Sequence, residues 1–545
     1  MTLSSDGSTS TRLPVGSTML VVVCLLAWGP ALLAPASRFW DDWVILGGGA
    51  AGLYRDVGVP WMGIPVHVLV GLGAWSFKVT AILASVVTAL AGRRVAESGL
   101  GFQPAEAWFL AALVTVLPFN AARSSVAILL TYTLSLAAFM VAWALLVTPT
   151  DGRPRRAAAI GAAALFLLSF GTASLIVFFA LPIAHLAKRY AHPESPLLPQ
   201  AVGFARIYWF LLAAPFAFWV VRSVLLRPSG LYASYNTFVL SRQTLLLILL
   251  MLWLLALGLL ALVASSIAHH DTRFGGVPRV SAVLAGVTVI TLAVAMYVGG
   301  ASHSGSGLLV SGLVLVAGAL VLTAPARDAR VLAPTGMGLI ASGLAALPYL
   351  LVGKVPAFTA WDNRHQLLLS FGGALVVVAA ARAAEPAVGR RVARTALAAV
   401  VVASTLMAAA GCVALVVDWH KQAQVIDRLR HEPRVRGAST VVVTDGTRSW
   451  NYDDRAPRFY EYTGWLREAF GGQSRLGVAD DDLPAWRAGQ NDRLLTSAGR
   501  FGLEDWDRKG RTVAVRIDAR PGSSWWSLLL DRPSVELVVR PLRTP

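Results

Sequence analysis

The chain has 545 residues, of which 56% are hydrophobic and only 14% charged, and its mean hydropathy is +0.62. A water-soluble protein carries roughly a quarter charged residues on average, so this composition excludes a soluble enzyme, and the long apolar runs exclude disorder. The 47 basic against 30 acidic residues leave a formal charge of +17, which in a polytopic membrane protein reads as Lys and Arg held in cytoplasmic loops rather than as nucleic-acid binding.

A membrane-crossing helix needs about 20 apolar residues. Such runs predict an α-helical polytopic membrane protein with thirteen spans, near 18–35, 72–91, 105–118, 124–148, 157–169, 173–187, 206–226, 243–268, 280–298, 307–324, 332–352, 366–382 and 395–417. Two stretches are too long for one helix, and each reads as a hairpin with a short first arm. Pro118, Asn120 and Arg123 supply a polar turn in 105–148, and Ser169, Gly171, Thr172 and Ser174 supply one in 157–187. Two bent single helices there would give eleven spans with the same ends.

Residues 1–17 are then an inner tail and 18–417 the membrane domain. The inner loops collect Arg93 and Arg94, Arg153, Arg155 and Arg156, Lys188 and Arg189, Arg273 and Arg279, Arg327 and Arg330, and Arg382, Arg390, Arg391 and Arg394. The outer loops and span ends hold fewer basic residues, so the positive-inside rule puts the N-terminus inside. An odd span count puts 418–545 outside. The segment Ala34-Pro35-Ala36 loosely resembles a cleavage site, but Pro35 and a leading region with only Arg12 disfavour a signal peptide. Cys24 and Cys412 both lie in apolar stretches, which leaves no disulfide framework and no cysteine-based metal site.

From residue 418 charges become frequent. Strands are expected at 439–444, 511–517 and 534–540, and an amphipathic helix at 458–470 ending on Gly471-Gly472. This segment reads as a small soluble α/β domain with no phosphate loop, nucleophile elbow or metal-ligand cluster, and no chemistry is assigned to it.

The first outer loop, 36–71, opens with Phe39-Trp40-Asp41-Asp42-Trp43. Adjacent carboxylates at the membrane surface could deprotonate an acceptor hydroxyl or hold a divalent cation (Mg or Mn) against a phosphate; the plainer reading is a helix N-cap. The last outer loop carries Lys354 and then Trp361-Asp362-Asn363-Arg364-His365. Arg364 could grip a phosphate bidentately and Lys354 add a point charge, against a plainer reading of snorkelling to lipid headgroups. Arg123 in the tight second outer turn and His303 in the Gly-rich loop 299–307 share that face, where His303 fits a solvated loop better than a ligand. The pair His269-His270 has no metal spacing.

Taken together these features resemble the GT-C superfamily of integral-membrane glycosyltransferases, which use polyprenyl-phosphate sugars. Phe39-Trp40-Asp41-Asp42-Trp43 is similar to the acidic motif of that family's first extracytoplasmic loop. Leu117-Pro118-Phe119-Asn120-Ala121-Ala122-Arg123-Ser124 resembles its Pro-containing hairpin turn, and Trp361-Asp362-Asn363-Arg364-His365 its late outer-loop motif. Where relatives often have an acidic residue in the next hairpin, this chain has Gly171 or Thr172. The resemblance implies an inverting glycosyl transfer in a bacterial cytoplasmic membrane, from a polyprenyl-phosphate-linked sugar to an extracytoplasmic glycan, lipid or protein. It implies Asp41 or Asp42, with a slight preference for Asp42, as base, and Arg364 with Arg123 or Lys354 on the donor phosphate. Trp40, Trp43, His303, Asp362 and His365 would line the substrate, with interfacial anchoring the default reading of the tryptophans. Membrane lipids are the other expected partners. The competing expectations are a lipid or solute transporter and a non-catalytic envelope assembly protein. Nearly charge-free span centres and the absence of an internal repeat count against the transporter.

Overall fold

A computed structural model describes residues 15–117, 121–147, 156–191, 196–233, 237–239, 241–270, 280, 283–287, 289–290, 293, 305–323, 329–354, 361–471, 474–495 and 500–542. The molecule is mostly helical. In chain order the principal helices are α1 (Val15–Trp28), α2 (Ala74–Arg94), α3 (Pro104–Val116), α4 (Leu130–Val147), α5 (Arg156–Ser169), α6 (Ala180–Tyr190), α7 (Leu197–Val224), α8 (Arg242–His270), α9 (Gly305–Thr323), α10 (Ala329–Leu351), α11 (Leu369–Val388) and α12 (Arg390–His431). Among the described residues, eight helices are long and apolar enough to cross a membrane. The expected span 280–298 lies mostly outside the described residues, as do His303 and the turn residues Pro118 and Asn120.

The two expected hairpins are real breaks. α3 has 13 residues and stops before Leu117, whose ψ of 135° leaves the helix. α5 has 14 residues, and the Ser169 hydroxyl turns back to the Phe166 carbonyl at 2.7 Å, a local bond that competes with continuing the helix. Gly171 lies against the Met62 side chain, whose thioether end a Cβ there would displace.

Contacts at the helix ends sort the structure into two faces. On one, Trp108 donates to the Gly16 carbonyl (2.9 Å), Arg93 to Ser17 (3.2 Å), Arg189 to the Val147 carbonyl (3.1 Å), and Arg382 to both oxygens of Glu106 (2.7 and 2.6 Å). On the other, Lys78 donates to Ser37 (2.7 Å) and to the Ser125 carbonyl (3.3 Å), Arg222 to the Val57 carbonyl (3.4 Å), and the Val239 amide to the Leu351 carbonyl (3.1 Å). The described arginines expected in inner loops therefore share the face on which α1 begins.

α12 runs for 42 residues, about 63 Å at 1.5 Å per residue, roughly twice the hydrocarbon thickness of a bilayer. Its far end is not a linker. Asp418, Lys421, Gln422, Val425, Ile426 and Leu429 are buried in the C-terminal domain, so the last apolar helix and the domain's central helix are one element.

That domain holds a four-stranded sheet of β1 (Thr440–Asp445), β2 (Leu476–Ala479), β3 (Thr512–Ala519) and β4 (Val535–Pro541) in the order β2-β1-β3-β4. β1 is parallel to β2 and to β3, and β4 is antiparallel to β3. α13 (Phe459–Phe470) makes the crossover from β1 to β2, which a parallel pair requires. The three expected strands and the helix form within a residue or two of their expected places. β2 was not expected, since four residues beginning Leu-Gly are too short to carry a pattern. The core joins Val441, Val443, Val513, Val515 and Ile517 to Trp465, Ile426 and Leu429.

Candidate functional site

The first loop begins with a strained residue. Trp40 has a φ of +48°, a left-handed conformation that costs a bulky L-residue energy and needs support from its surroundings. The support is visible. The Trp40 amide donates to the Glu461 carboxylate (3.0 Å), its ring meets Tyr452 edge-on at 6.4 Å, and the Arg455 guanidinium lies 4.7 Å from its ring centre.

The two carboxylates that follow diverge from this kink. Asp42 is fully buried and accepts three main-chain N–H groups, from Phe39 (3.1 Å), Ala127 (3.0 Å) and Ile128 (2.9 Å). The last two open the helical segment that continues as α4, so Asp42 caps that element from a distance in sequence. Burial pushes its carboxyl above the usual range, opposed by the three amides and by Lys78. Lys78 is itself buried and tied to Ser37 and Ser125, closing the same junction.

Asp41 keeps partial exposure and meets different partners. The Tyr460 hydroxyl lies beside it, and the charges of Arg364, Arg458 and Glu461 act on it. Burial raises its carboxyl above the ordinary value, while Arg364, Arg458 and Tyr460 oppose the rise. The site thus gathers Asp41 from the first loop, Arg364 from the turn Trp361–Gln366, and Arg458 and Tyr460 from the C-terminal domain.

Around Arg364 the turn is well packed. Arg364 and His365 are 6% and 3% exposed, and the His365 ring lies 4.9 Å from that of Tyr349, whose hydroxyl pairs with Ser174 at 3.0 Å. Burial, with Arg364 and Lys354 nearby, pushes the His365 imidazole down to about 2 and keeps it neutral. Lys354 is half-buried and close enough to act on His365. The side chain of Asp362 lies outside the described set.

Three expected roles need correction. Trp40 and Trp43 are 2% and 5% exposed and do not line an open site. Trp43 packs on Trp419 at 6.1 Å and against Gly464, where a Cβ would fall 2.6 Å from its ring; both tryptophans seal the seam between loop and C-terminal domain. Arg123 donates to the Thr115 carbonyl and stacks over Trp28 at 4.5 Å, so it holds the turn after α3 rather than reaching toward Asp41's partners. Asp41 and Asp42 do not offer a joint cation site, because the oxygens of Asp42 are taken by amides. Among the described residues no group of three or more His, Cys, Asp or Glu side chains is placed to hold a metal ion.

Sequence reasoning passed over Arg458 and Tyr460. Both lie in the helix-start segment of a domain that looked chemically empty, and nothing local marks them as facing Asp41. The wider seam consists of buried ions. Arg455 bridges Asp418 (2.8 Å) and Glu461 (2.8 and 2.7 Å), Asp418 also accepts from the Tyr452 amide (3.0 Å) and Gln422 (2.8 Å), and Lys421 pairs with Asp445 (2.6 Å) and Asn451 (2.6 Å). Arg500 pairs with Asp56, and Arg38 with Glu468 at 3.0 Å, which fastens the domain to the first loop at two further points. Set against models of known families, curated proteins and solved structures, the chain gives no match.

Proposed function

We propose that the protein is an inverting membrane glycosyltransferase that takes a sugar from a polyprenyl-phosphate donor and places it on an acceptor hydroxyl at the face that carries the C-terminal domain. The observation that carries this reading is the convergence of one partly exposed carboxylate, Asp41, with Arg364 on a single face, the face opposite the arginine-rich loop ends. By the positive-inside rule that face is the outer one.

Asp41 is the base in this scheme, and Asp42 positions the loop. A carboxylate whose carboxyl is held above its ordinary range is a stronger base than a free one. The acceptor oxygen forms a bond to the anomeric carbon as the carbon–oxygen bond to the phosphate breaks with its electron pair. The acceptor proton passes to Asp41, and the polyprenyl phosphate leaves with its charge facing Arg364. A phosphate leaving group is stabilised by a cation and needs no general acid. Asp41 and Asp42 do not make a joint cation site, because the Asp42 oxygens are held by the Phe39, Ala127 and Ile128 amides.

The test is incubation of purified protein with a panel of polyprenyl-phosphate sugars and candidate glycan, lipid and protein acceptors, with release of polyprenyl phosphate as readout. Turnover by wild type and its loss in Asp41→Asn supports the reading. Donor that crosses a proteoliposome membrane unchanged, without release, supports a transporter instead.

A further inference from the structure

On the arginine-rich face, away from the Asp41 site, a notch of about 440 Å³ lies between α3, α11 and α12. Arg330, Arg382, Arg390 and Arg394 line it against Glu106 and Glu385, an excess of two positive charges. The two acids do not use these charges equally. Glu106 accepts from Arg382 at 2.7 and 2.6 Å and from the Gln103 amide at 3.1 Å, and Arg382 also donates to the Arg330 carbonyl at 2.9 Å. Glu385 stands 3.7 Å from Arg390, which also donates to Gln103 and keeps 54% of its side chain exposed. Arg394, one turn further along α12, has no acidic partner among the described residues and is half-buried in the notch. The walls behind the charges are apolar: Phe109, Val378, Leu397 and Pro386.

We propose that this notch binds the phosphate of an anionic phospholipid headgroup, with Arg390 and Arg394 on the phosphate and the apolar wall against the glycerol and upper acyl chain. Two features favour a lipid over a soluble anion. Arg390 opens α12, whose apolar run from Ala396 onward is exposed along one side, so the notch sits where a bilayer's headgroups meet its hydrocarbon. A basic pocket between spanning helices on the positively charged side is also the arrangement that attracts anionic headgroups. The proposal is independent of catalysis: it needs the chain to be embedded, not active.

The experiment uses the full-length protein, delipidated in detergent and titrated with phosphatidylglycerol or phosphatidylcholine, with binding read by native mass spectrometry. Wild type should retain phosphatidylglycerol in preference. Arg390→Gln with Arg394→Gln should lower that preference by roughly tenfold or more, the scale of two arginines at an anionic surface. Arg390→Lys with Arg394→Lys should retain most of it, which guards against loss of fold in the glutamine pair. The control is Arg94→Gln with Arg391→Gln, two exposed arginines of the same face outside the notch. Equal loss in the control, or no loss in the notch variant, overturns the proposal. Displacement of the lipid by glycerol phosphate at matched phosphate concentration also overturns it, since the site would then take a free phosphate ester.

Discussion

The amide of Trp40 donates to the carboxylate of Glu461 at 3.0 Å across 421 residues of sequence. This bond joins the strained start of the first loop to the first turn of α13, the same turn that carries Tyr460. Glu461 also accepts both contacts from the Nη1 of Arg455. Glu461→Ala would take one partner from a buried arginine and remove the carboxylate that accepts the Trp40 and Arg458 amides. Such a loss costs about 3–5 kcal/mol, so thermal unfolding followed by tryptophan fluorescence should fall by several degrees. Limited proteolysis should release the C-terminal domain faster. An unchanged melting curve would show that the seam draws its stability from elsewhere.

The acidic pair should separate into two phenotypes. Asp41→Asn should lose turnover by orders of magnitude with little change in stability, because its carboxylate faces the site. Asp42→Asn should lose about 1–3 kcal/mol, because an amide NH2 would meet main-chain donors in place of an acceptor. Its activity loss should follow its folding loss. Stability and initial rate measured on the same preparations check this; equal phenotypes for the two variants reject the division of roles.

The pH profile follows from the same geometry. The base must be ionised, so kcat/KM falls as pH falls through the Asp41 pKa. Burial raises that value, so the acid limb should lie above the ordinary carboxylate range of about 4. Arg458 and the Tyr460 hydroxyl oppose the rise, so Arg458→Ala and Tyr460→Phe should each move the limb further to higher pH. A shift in the opposite direction rules out Asp41 as the titrating group.

Arg364 should be sensitive to shape as well as charge. Lysine keeps the charge but loses the guanidinium fork, so Arg364→Lys should be impaired and Arg364→Ala worse, by about thirtyfold or more if a buried charge contact of at least about 2 kcal/mol is removed. Donor titration of the three proteins checks it. Unchanged donor KM and turnover in Arg364→Ala would move the phosphate to Lys354.

Gly464 permits the contact between α13 and the first loop. A Cβ there would lie 2.6 Å from the Trp43 ring, a collision that a ring locked against Trp419 cannot relieve by small shifts. Gly464→Ala should cost about 1–3 kcal/mol, the usual range for overpacking, and should lower activity by displacing Tyr460. Chemical denaturation alongside the activity assay tests both.

Hydropathy placed most of the long helices, because a chain in a bilayer must satisfy its backbone internally and so turns each apolar run into helix. Yet of thirteen expected spans, eight described helices are long and apolar enough to cross, and the helices Ala50–Asp56 and Gly63–Leu72 fall inside the expected first loop. A continuous valine run ending at Asp445-Gly446 marked β1, and short apolar runs marked β3 and β4. The two polar breaks, at Arg123 and at Ser169–Ser174, were visible because serine, glycine and proline compete locally with helix continuation. What local pattern could not carry was direction. Asp41 and Asp42 are adjacent and identical, and only the left-handed Trp40, set by Glu461 and Arg455, sends one to the amides of residues 127–128 and the other to Arg364. Tyr460 and Arg458 reach Asp41 only because α12 continues past the apolar run without a bend and holds the sheet over the first loop. Contacts that span four hundred residues depend on the packing of whole elements, and no window of sequence contains both partners.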